Sequence, residues 1–128
     1  MPVLLKIAPD LNYNQIDDVI SLAIEIKLDG IVATNTTIER KGLITDEAVL
    51  NEIGNGGLSG KPLKNRSTEI LSYIQKQAQN KIPVIASGGI FTKEDAKEKI
   101  NAGASLLEVW TGFIYEGPLI VRNICNNL

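Results

Sequence analysis

Two glycine-containing segments near the end of the sequence have residue types suited to binding an anion. Residues 86–90 read ASGGI, residues 110–113 read WTGF, and a stretch as long as one short helix separates them. Glycine lets backbone N–H groups approach a ligand closely, and a helix N-terminus adds the positive end of its dipole. The loops after the last two strands of a β/α barrel bind phosphate in this way. We therefore predict a phosphate site at these two segments; two ordinary turns are the alternative.

Lys6 is a second candidate because it lies within an apolar stretch, residues 3–8 (VLLKIA). Alternation along a strand places Lys6 on the smaller, mixed face, which in a barrel points inward. An unpaired buried ammonium is costly, so Lys6 needs an anionic or polar partner. That partner is either a ligand or an inward carboxylate, for which Glu108 on the last predicted strand is suited.

Polar groups also follow the second predicted strand, where residues 34–37 read TNTT. Hydroxyl and amide groups donate and accept hydrogen bonds, which suits a planar polar ligand. An Asn/Thr turn that closes the strand is the alternative. Residues 56–60 (GGLSG) would bring backbone close to a ligand or form a plain glycine-rich turn, and Trp110 would stack on a ring or fill space.

The elements that position these residues alternate between two types. Four apolar, β-branched segments, residues 3–8, 30–34, 82–86 and 106–110, each precede a turn and a helical pattern, which predicts parallel strands with crossover helices. Helices are predicted at about residues 14–26 and 67–79, from the N-cap Thr92 with Asp95 three residues on to Gly103, and from about Pro118 onward. Residues 35–62 exceed an ordinary βα loop and are predicted to form a lid with a short helix near residues 46–53.

Composition excludes several classes of function. The net charge of −2 over 128 residues gives no basic surface for nucleic acid, and Cys125 alone cannot form an intramolecular disulfide. Histidine is absent, which removes the commonest general base and zinc ligand. No apolar run is long enough to span a membrane, so we expect a soluble, cytosolic chain with no metal site.

Taken together, these segments resemble the C-terminal half of class 2 dihydroorotate dehydrogenase. The matching segments are VLLKIAPD at 3–10, GIVATNTT at 30–37, GGLSGKPL at 56–63, GGI at 88–90 and TGFIYEGP at 111–118. The resemblance implies that residues 1–128 form the C-terminal half, about four βα units, of a TIM (β/α)8 barrel. It also implies an FMN enzyme that oxidises dihydroorotate to orotate in de novo pyrimidine biosynthesis and passes electrons to a quinone.

The resemblance further implies roles for residues of the cofactor site. Lys6 would place positive charge beside the isoalloxazine and favour the anionic reduced flavin, and Gly60 would let the backbone lie against the ring. Trp110 stands where family members often have Tyr, so it would bind the phosphate only through its backbone N–H. The cofactor-binding residues that the resemblance implies are Lys6, Thr34, Gly60, Gly89, Trp110 and Thr111.

For the substrate, the resemblance implies that Asn35 and Thr36 hydrogen-bond the orotate ring. No motif here matches the class 2 serine base, so we expect the isolated chain to be inactive and to self-associate through uncovered strands. The intact enzyme is expected at the cytoplasmic side of the inner membrane, reaching quinone through an N-terminal region. Two other functions stay open: a stand-alone half-barrel module for phosphate binding, flavin binding or assembly, and a non-flavin barrel isomerase or lyase.

Overall fold

The computed structural model describes residues 1–126 and 128, and strands alternate with helices along them. The strands are β1 (Leu4–Ile7), β2 (Gly30–Ala33), β3 (Val84–Ser87) and β4 (Leu106–Glu108). The helices are α1 (Tyr13–Glu25), α2 (Glu47–Ile53), α3 (Lys64–Ala78), α4 (Lys93–Asn101), α5 (Thr111–Glu116) and α6 (Ile120–Cys125), and a 3-10 turn, Lys61–Leu63, precedes α3.

The four strands form one parallel sheet in the order β1-β2-β3-β4. Each strand therefore pairs with the next strand in sequence, and the connecting helices return the chain to the start of the sheet. All four carboxyl ends meet at one edge of the sheet. The α/β architecture predicted from the alternating pattern is confirmed, and it places the polar strand ends together.

The main core lies between the sheet and helices α1 and α3. Ile16 and Ile20 of α1, Ile70 and Ile74 of α3, and Ile31 of β2 are buried in it. The helical residues recur at a spacing of four, which places them on one face of each helix, as the periodicity predicted. A smaller cluster beneath α4 and α6 holds Ile90, Ala96, Ile120 and Ile124.

Local signals set the starts of two helices. The Thr92 side chain accepts from the Asp95 amide while Asp95 accepts from the Thr92 amide, so the predicted capping box opens α4. Asp46 caps α2, the short helix expected within the lid. Within the segment 35–62, Thr37 and Leu58 form an isolated antiparallel bridge.

The structure differs from the sequence-based boundaries in several places. The fourth strand ends at Glu108 rather than at residue 110, and α3 begins at Lys64 rather than at residue 67 because the 3-10 turn leads directly into it. Helix α5 was not predicted; it fills residues 111–116, and the final helix begins at Ile120, two residues after Pro118. Among the described residues, no helix combines the length and apolar composition that crossing a bilayer requires.

Candidate functional site

A cavity of about 310 Å³ opens at the carboxyl ends of the strands. Active sites of β/α barrels lie at this face because loops from several strands converge there. The cavity brings together every residue that the sequence analysis proposed for cofactor or substrate. Those lining residues are Lys6, Thr34, Asn35, Thr36, Gly60, Gly89, Trp110 and Thr111.

Backbone amides are available on one side of this cavity. Within the described part of the chain, the N–H groups of Gly88, Gly89 and Ile90 donate no hydrogen bond, and neither do those of Trp110 and Thr111. Gly88 and Gly89 have φ angles of +115° and +72°, which glycine adopts without strain. Unpaired amides from two strand ends suit an anion with several acceptor oxygens, such as a phosphate.

Glycine at position 89 is also required by packing. A Cβ atom there would lie 2.5 Å from Cα and 2.8 Å from the backbone nitrogen of Lys64, the first residue of α3. Gly60, at φ +84°, faces Thr111 in the same way, with 3.1 Å between its hypothetical Cβ and Thr111 Cγ2. The glycines therefore bring three loops close together around the cavity. This packing is compatible with both alternatives, an ordinary glycine turn and a loop whose backbone approaches a ligand.

An ion pair crosses the concave face of the sheet at this site. Lys6 Nζ lies 2.6 Å from Glu108 Oε1, and both side chains are partly exposed. Glu108 is therefore the carboxylate partner that the sequence analysis considered for Lys6. Because both residues line the cavity, the pair forms a charged wall that a ligand would contact directly.

Polar groups on the β2 side are held by the sheet itself. The Thr34 amide donates to Ser87 O and the Asn35 amide to Ile7 O, each at 2.8 Å, so hydrogen bonding between strands extends beyond the strand ends. Asn35 Oδ1 accepts from the Thr36 amide at 2.8 Å. Within the described residues, Asn35 Nδ2 donates no hydrogen bond and remains available to a polar ring.

A cluster of charges lies behind the glycine loop. Lys64 pairs with Asp95 at 2.6 Å and with Glu98 at 3.0 Å. The hydrogen bonds that Lys64 donates to Asp95 and Glu98 raise the pKa of Lys64. Burial alone would raise the pKa of Asp95, but the hydrogen bonds from Lys64, Phe91 and Thr92 outweigh it and lower that pKa. Beneath this cluster, burial lowers the pKa of Lys99 to about 8.

Two residues next to the site have no role assigned from the sequence. Ser87 belongs to the predicted 86–90 segment and lines the cavity at the end of β3, where the rule that selected Thr34 after β2 applies to it as well. Lys99 was not considered, although it lies three residues after the buried Ala96 on the inward face of α4. A charged residue on an apolar helix face is the signal that would have identified it.

Comparison with known proteins connects this site to one family. The family model described as dihydroorotate dehydrogenase matches residues 1–128. The dihydroorotate dehydrogenase (quinone) of Nostoc punctiforme is 54% identical, over 99% of this chain and 35% of the relative. That of Christiangramia forsetii is 51% identical, over 96% of this chain and 35% of the relative. The chain thus spans about a third of the length of the curated relatives it matches.

Solved structures agree with these sequence matches. Ligand-free DHODH from Eimeria tenella superposes with a TM-score of 0.89 at 43% identity, over 98% of this chain and 34% of that chain. The same enzyme in complex with ferulenol gives a TM-score of 0.88 at 43% identity, over 96% of this chain and 32% of that chain. Because these neighbours are TIM barrels, the four βα units form part of such a barrel.

Proposed function

The chain belongs to the dihydroorotate dehydrogenase family, and on that premise we propose that it is the FMN-binding C-terminal half-barrel, residues 1–128, of a quinone-linked enzyme. The longer enzyme would oxidise dihydroorotate to orotate in de novo pyrimidine biosynthesis. The observation that carries this proposal is the convergence of unpaired amides, a charged pair and polar strand ends on one cavity. When bound, FMN would accept a hydride from dihydroorotate and pass electrons to quinone.

The donor groups in the cavity fit a flavin phosphate and ring. The unpaired amides of Gly89, Trp110 and Thr111 match the acceptor oxygens of a phosphate. Gly60, Thr34 and Lys6 line the same cavity; Gly60 and Thr34 would contact the flavin ring, and the Lys6 ammonium would supply positive charge beside it. Because Glu108 contacts Lys6 at 2.6 Å, part of that charge is already neutralised before any ligand binds.

The substrate would bind beside these groups, on the β2 side of the cavity. Among the described residues the Asn35 amide NH₂ has no acceptor, and Thr36 lies next to it with a hydroxyl that can donate and accept. This chain contributes no residue that we assign as the proton-abstracting base. We therefore propose that the chain alone binds cofactor and orotate without oxidising dihydroorotate.

Flavin binding can be measured directly on the purified chain. FMN titration, followed by visible absorbance and by quenching of flavin fluorescence, is expected to show saturable binding that is tighter than binding of riboflavin, which lacks the phosphate. A chain that remains colourless after titration would remove cofactor binding by these residues. Bleaching of the bound flavin by dihydroorotate would contradict the proposed inactivity of the chain alone.

Orotate binding separates the substrate groups from the cofactor groups. We expect Asn35→Leu to abolish the shift of the flavin spectrum on adding orotate while FMN affinity stays unchanged. Asn51→Leu, on the exposed surface of α2, is the matched control and should retain both. Equal orotate binding by the Asn35→Leu variant would exclude Asn35 from the substrate site.

We also propose that the chain associates with a second copy of itself. In the part of the chain that the structure describes, strands β1 and β4 each pair on one side only, which leaves backbone groups unpaired at both edges of the sheet. The concave face is uncovered as well, since Leu106 is 64% and Trp110 75% exposed. Light scattering over a range of concentrations is expected to show dimers or larger species, and a monodisperse monomer would refute this.

The same uncovered edges favour one alternative function, a stand-alone half-barrel module for binding or assembly. Such a module would bind phosphate or flavin without any role in dihydroorotate oxidation. Orotate binding distinguishes the two, because an assembly module has no reason to select the pyrimidine ring. For the longer enzyme, we propose peripheral attachment at the cytoplasmic side of the inner membrane, where it would meet the quinone.

A further inference from the structure

Lys99 is a buried lysine with no carboxylate contact among the described residues. Its side chain on α4 has no exposed surface. The ammonium donates to Ser67 Oγ at 2.5 Å, to Thr68 Oγ1 at 2.7 Å and to Lys64 O at 3.1 Å. All three protons of the ammonium are therefore used, and every acceptor belongs to the first turns of α3. Burying a charge is costly, so its presence here calls for an explanation beyond packing.

Ser67 connects this ammonium to the glycine loop of the cavity. Its oxygen accepts from Lys99, so its only proton must be donated elsewhere. The two acceptors within reach are Gly88 O at 3.1 Å and Lys64 O at 3.0 Å. Lys99 itself already occupies Lys64 O, which favours donation from Ser67 to Gly88 O. The result is a hydrogen-bonded chain from Lys99 through Ser67 to Gly88.

The position of the Gly88 carbonyl fixes the direction of the next amide. In a trans peptide the C=O of one residue and the N–H of the following residue point in opposite directions within one plane. Because Gly88 O points toward Ser67 on α3, the Gly89 N–H points away from α3. Gly89 lines the cavity, and its N–H donates to no group in the described part of the chain.

We propose that Lys99 is a positioning residue for phosphate binding: through Ser67 it holds the Gly88 carbonyl and so directs the Gly89 amide into the cavity. This inference rests on the proposed function, because the phosphate is that of the flavin. Lys99 does not touch the ligand. Its buried positive charge also strengthens the hydrogen bond that Ser67 donates, since bonds in a chain polarise one another at low dielectric.

Comparing two flavins tests this role on the whole chain. Lys99→Met keeps the length of the side chain and removes its charge and donors. We expect the variant to bind FMN about tenfold more weakly, the size of one charge-assisted hydrogen bond, with riboflavin affinity unchanged within about twofold. Lys97→Met, on the exposed side of the same helix, should leave both affinities unchanged.

Three results would overturn the inference. Equal losses for FMN and riboflavin would make Lys99 a general support of the fold, and equal affinities in variant and wild type would remove its role. If the wild-type chain itself shows no preference for FMN over riboflavin, the proposed function fails and this inference fails with it. The wild-type chain alone shows that failure before any variant is made. Failure of the proposed function is therefore distinguishable from failure of the Lys99 inference alone.

A second variant covers the case in which Lys99→Met does not fold, as judged by circular dichroism. Ser67→Ala leaves Lys99 in place and breaks the connection to Gly88. We expect the same selective loss of FMN affinity, and no further loss when the two changes are combined. Additive losses, or a Ser67→Ala variant with wild-type FMN preference, would overturn the proposed chain of contacts.

Discussion

The ammonium of Lys6 and the carboxylate of Glu108 lie 2.6 Å apart, although β1 and β4 are the two outer strands of the sheet. Three strand spacings of about 4.8 Å each separate those strands along the hydrogen-bonding direction. The two side chains therefore reach toward each other across the concave face, as residues on the inside of a curved sheet do. The pair links the first and last βα units of the chain through side chains alone.

The charge balance of this pair should set the redox behaviour of a bound flavin. Glu108→Gln leaves the positive charge of Lys6 unneutralised, which favours an anionic reduced ring. We expect the midpoint potential of bound FMN to rise by on the order of 20 mV, the equivalent of a partly exposed ion pair. Lys6→Met should lower it. Redox titration of the loaded chain measures both, and Glu94→Gln, on the exposed surface of α4, is the control.

Opposite shifts in the Lys6 and Glu108 variants are the decisive result. If both variants move the potential in the same direction, loss of structure rather than charge is responsible. If neither moves it, the pair does not face the flavin ring.

Much of the fold could be read from the sequence because its signals are local. The spacing of Ile16 and Ile20 predicted the buried face of α1, and Thr92 with Asp95 predicted the start of α4. Helix α5 could not be found in this way. It contains Gly112 and a run of aromatic and β-branched residues, all weak helix formers. It forms where Gly112 lies against Ile90 and Ile120, a contact that only the tertiary structure creates.

The candidate site, like the fold, has one part that the sequence predicted and one part that it did not. Residues at the carboxyl ends of strands were predicted because parallel topology alone brings those ends to one edge. The contact between Lys99 and Ser67 was not predicted, because 32 residues separate the two in sequence and lysine on a helix is normally solvent-exposed. Buried polar contacts between distant elements depend on how the helices pack, and no local pattern encodes that.

The charges behind the glycine loop should make stability fall in acid. Asp95 and Glu98 have pKa values lowered from 3.8 and 4.5, so their stabilising effect is complete above those values and is lost as the pH falls through the folded values. Lys64, whose pKa is raised, stays charged throughout this range. Lys64→Met should remove about 1 kcal/mol at pH 7 and flatten the decline below pH 5.

Urea denaturation between pH 3 and pH 7 measures this prediction. Lys97→Met serves as the control, because Lys97 makes no ion pair among the described residues. A Lys64→Met variant whose stability declines as steeply as the wild type in acid would show that other carboxylates cause the decline.

Lys99 should make the stability of the chain depend on pH in the alkaline range as well. Burial lowers its pKa from 10.5 to about 8, so below pH 8 the folded chain carries the full cost of the buried charge. Between pH 8 and 10.5 the unfolded chain binds the proton and the folded chain does not, so this group makes stability rise with pH. The charged neighbours that act on it are Lys64 on α3 and Asp95 and Glu98 on α4.

The Lys99→Met variant should lack that rise. The cost it removes is on the order of 3 kcal/mol, offset in part by leaving the Ser67 and Thr68 hydroxyls without a donor. We therefore expect a melting temperature at pH 7 no lower than that of the wild type, together with weaker FMN binding. A stability difference between the two proteins that does not change from pH 8 to 10.5 would contradict this origin of the pKa.

Gly89 and Gly56 offer a matched pair for testing the packing of the loop. Ala at position 89 would require a positive φ and would place its Cβ 2.5 Å from Lys64 Cα, so we expect a loss of about 2–4 kcal/mol in the free energy of unfolding. Ala at position 56 meets no atom within 4 Å and should be neutral or stabilise the chain by up to about 1 kcal/mol. Urea denaturation of both variants measures the difference. Equal stabilities would mean that the loop shifts freely on α3, in which case the Lys99–Ser67–Gly88 contacts could not hold the Gly89 amide in place.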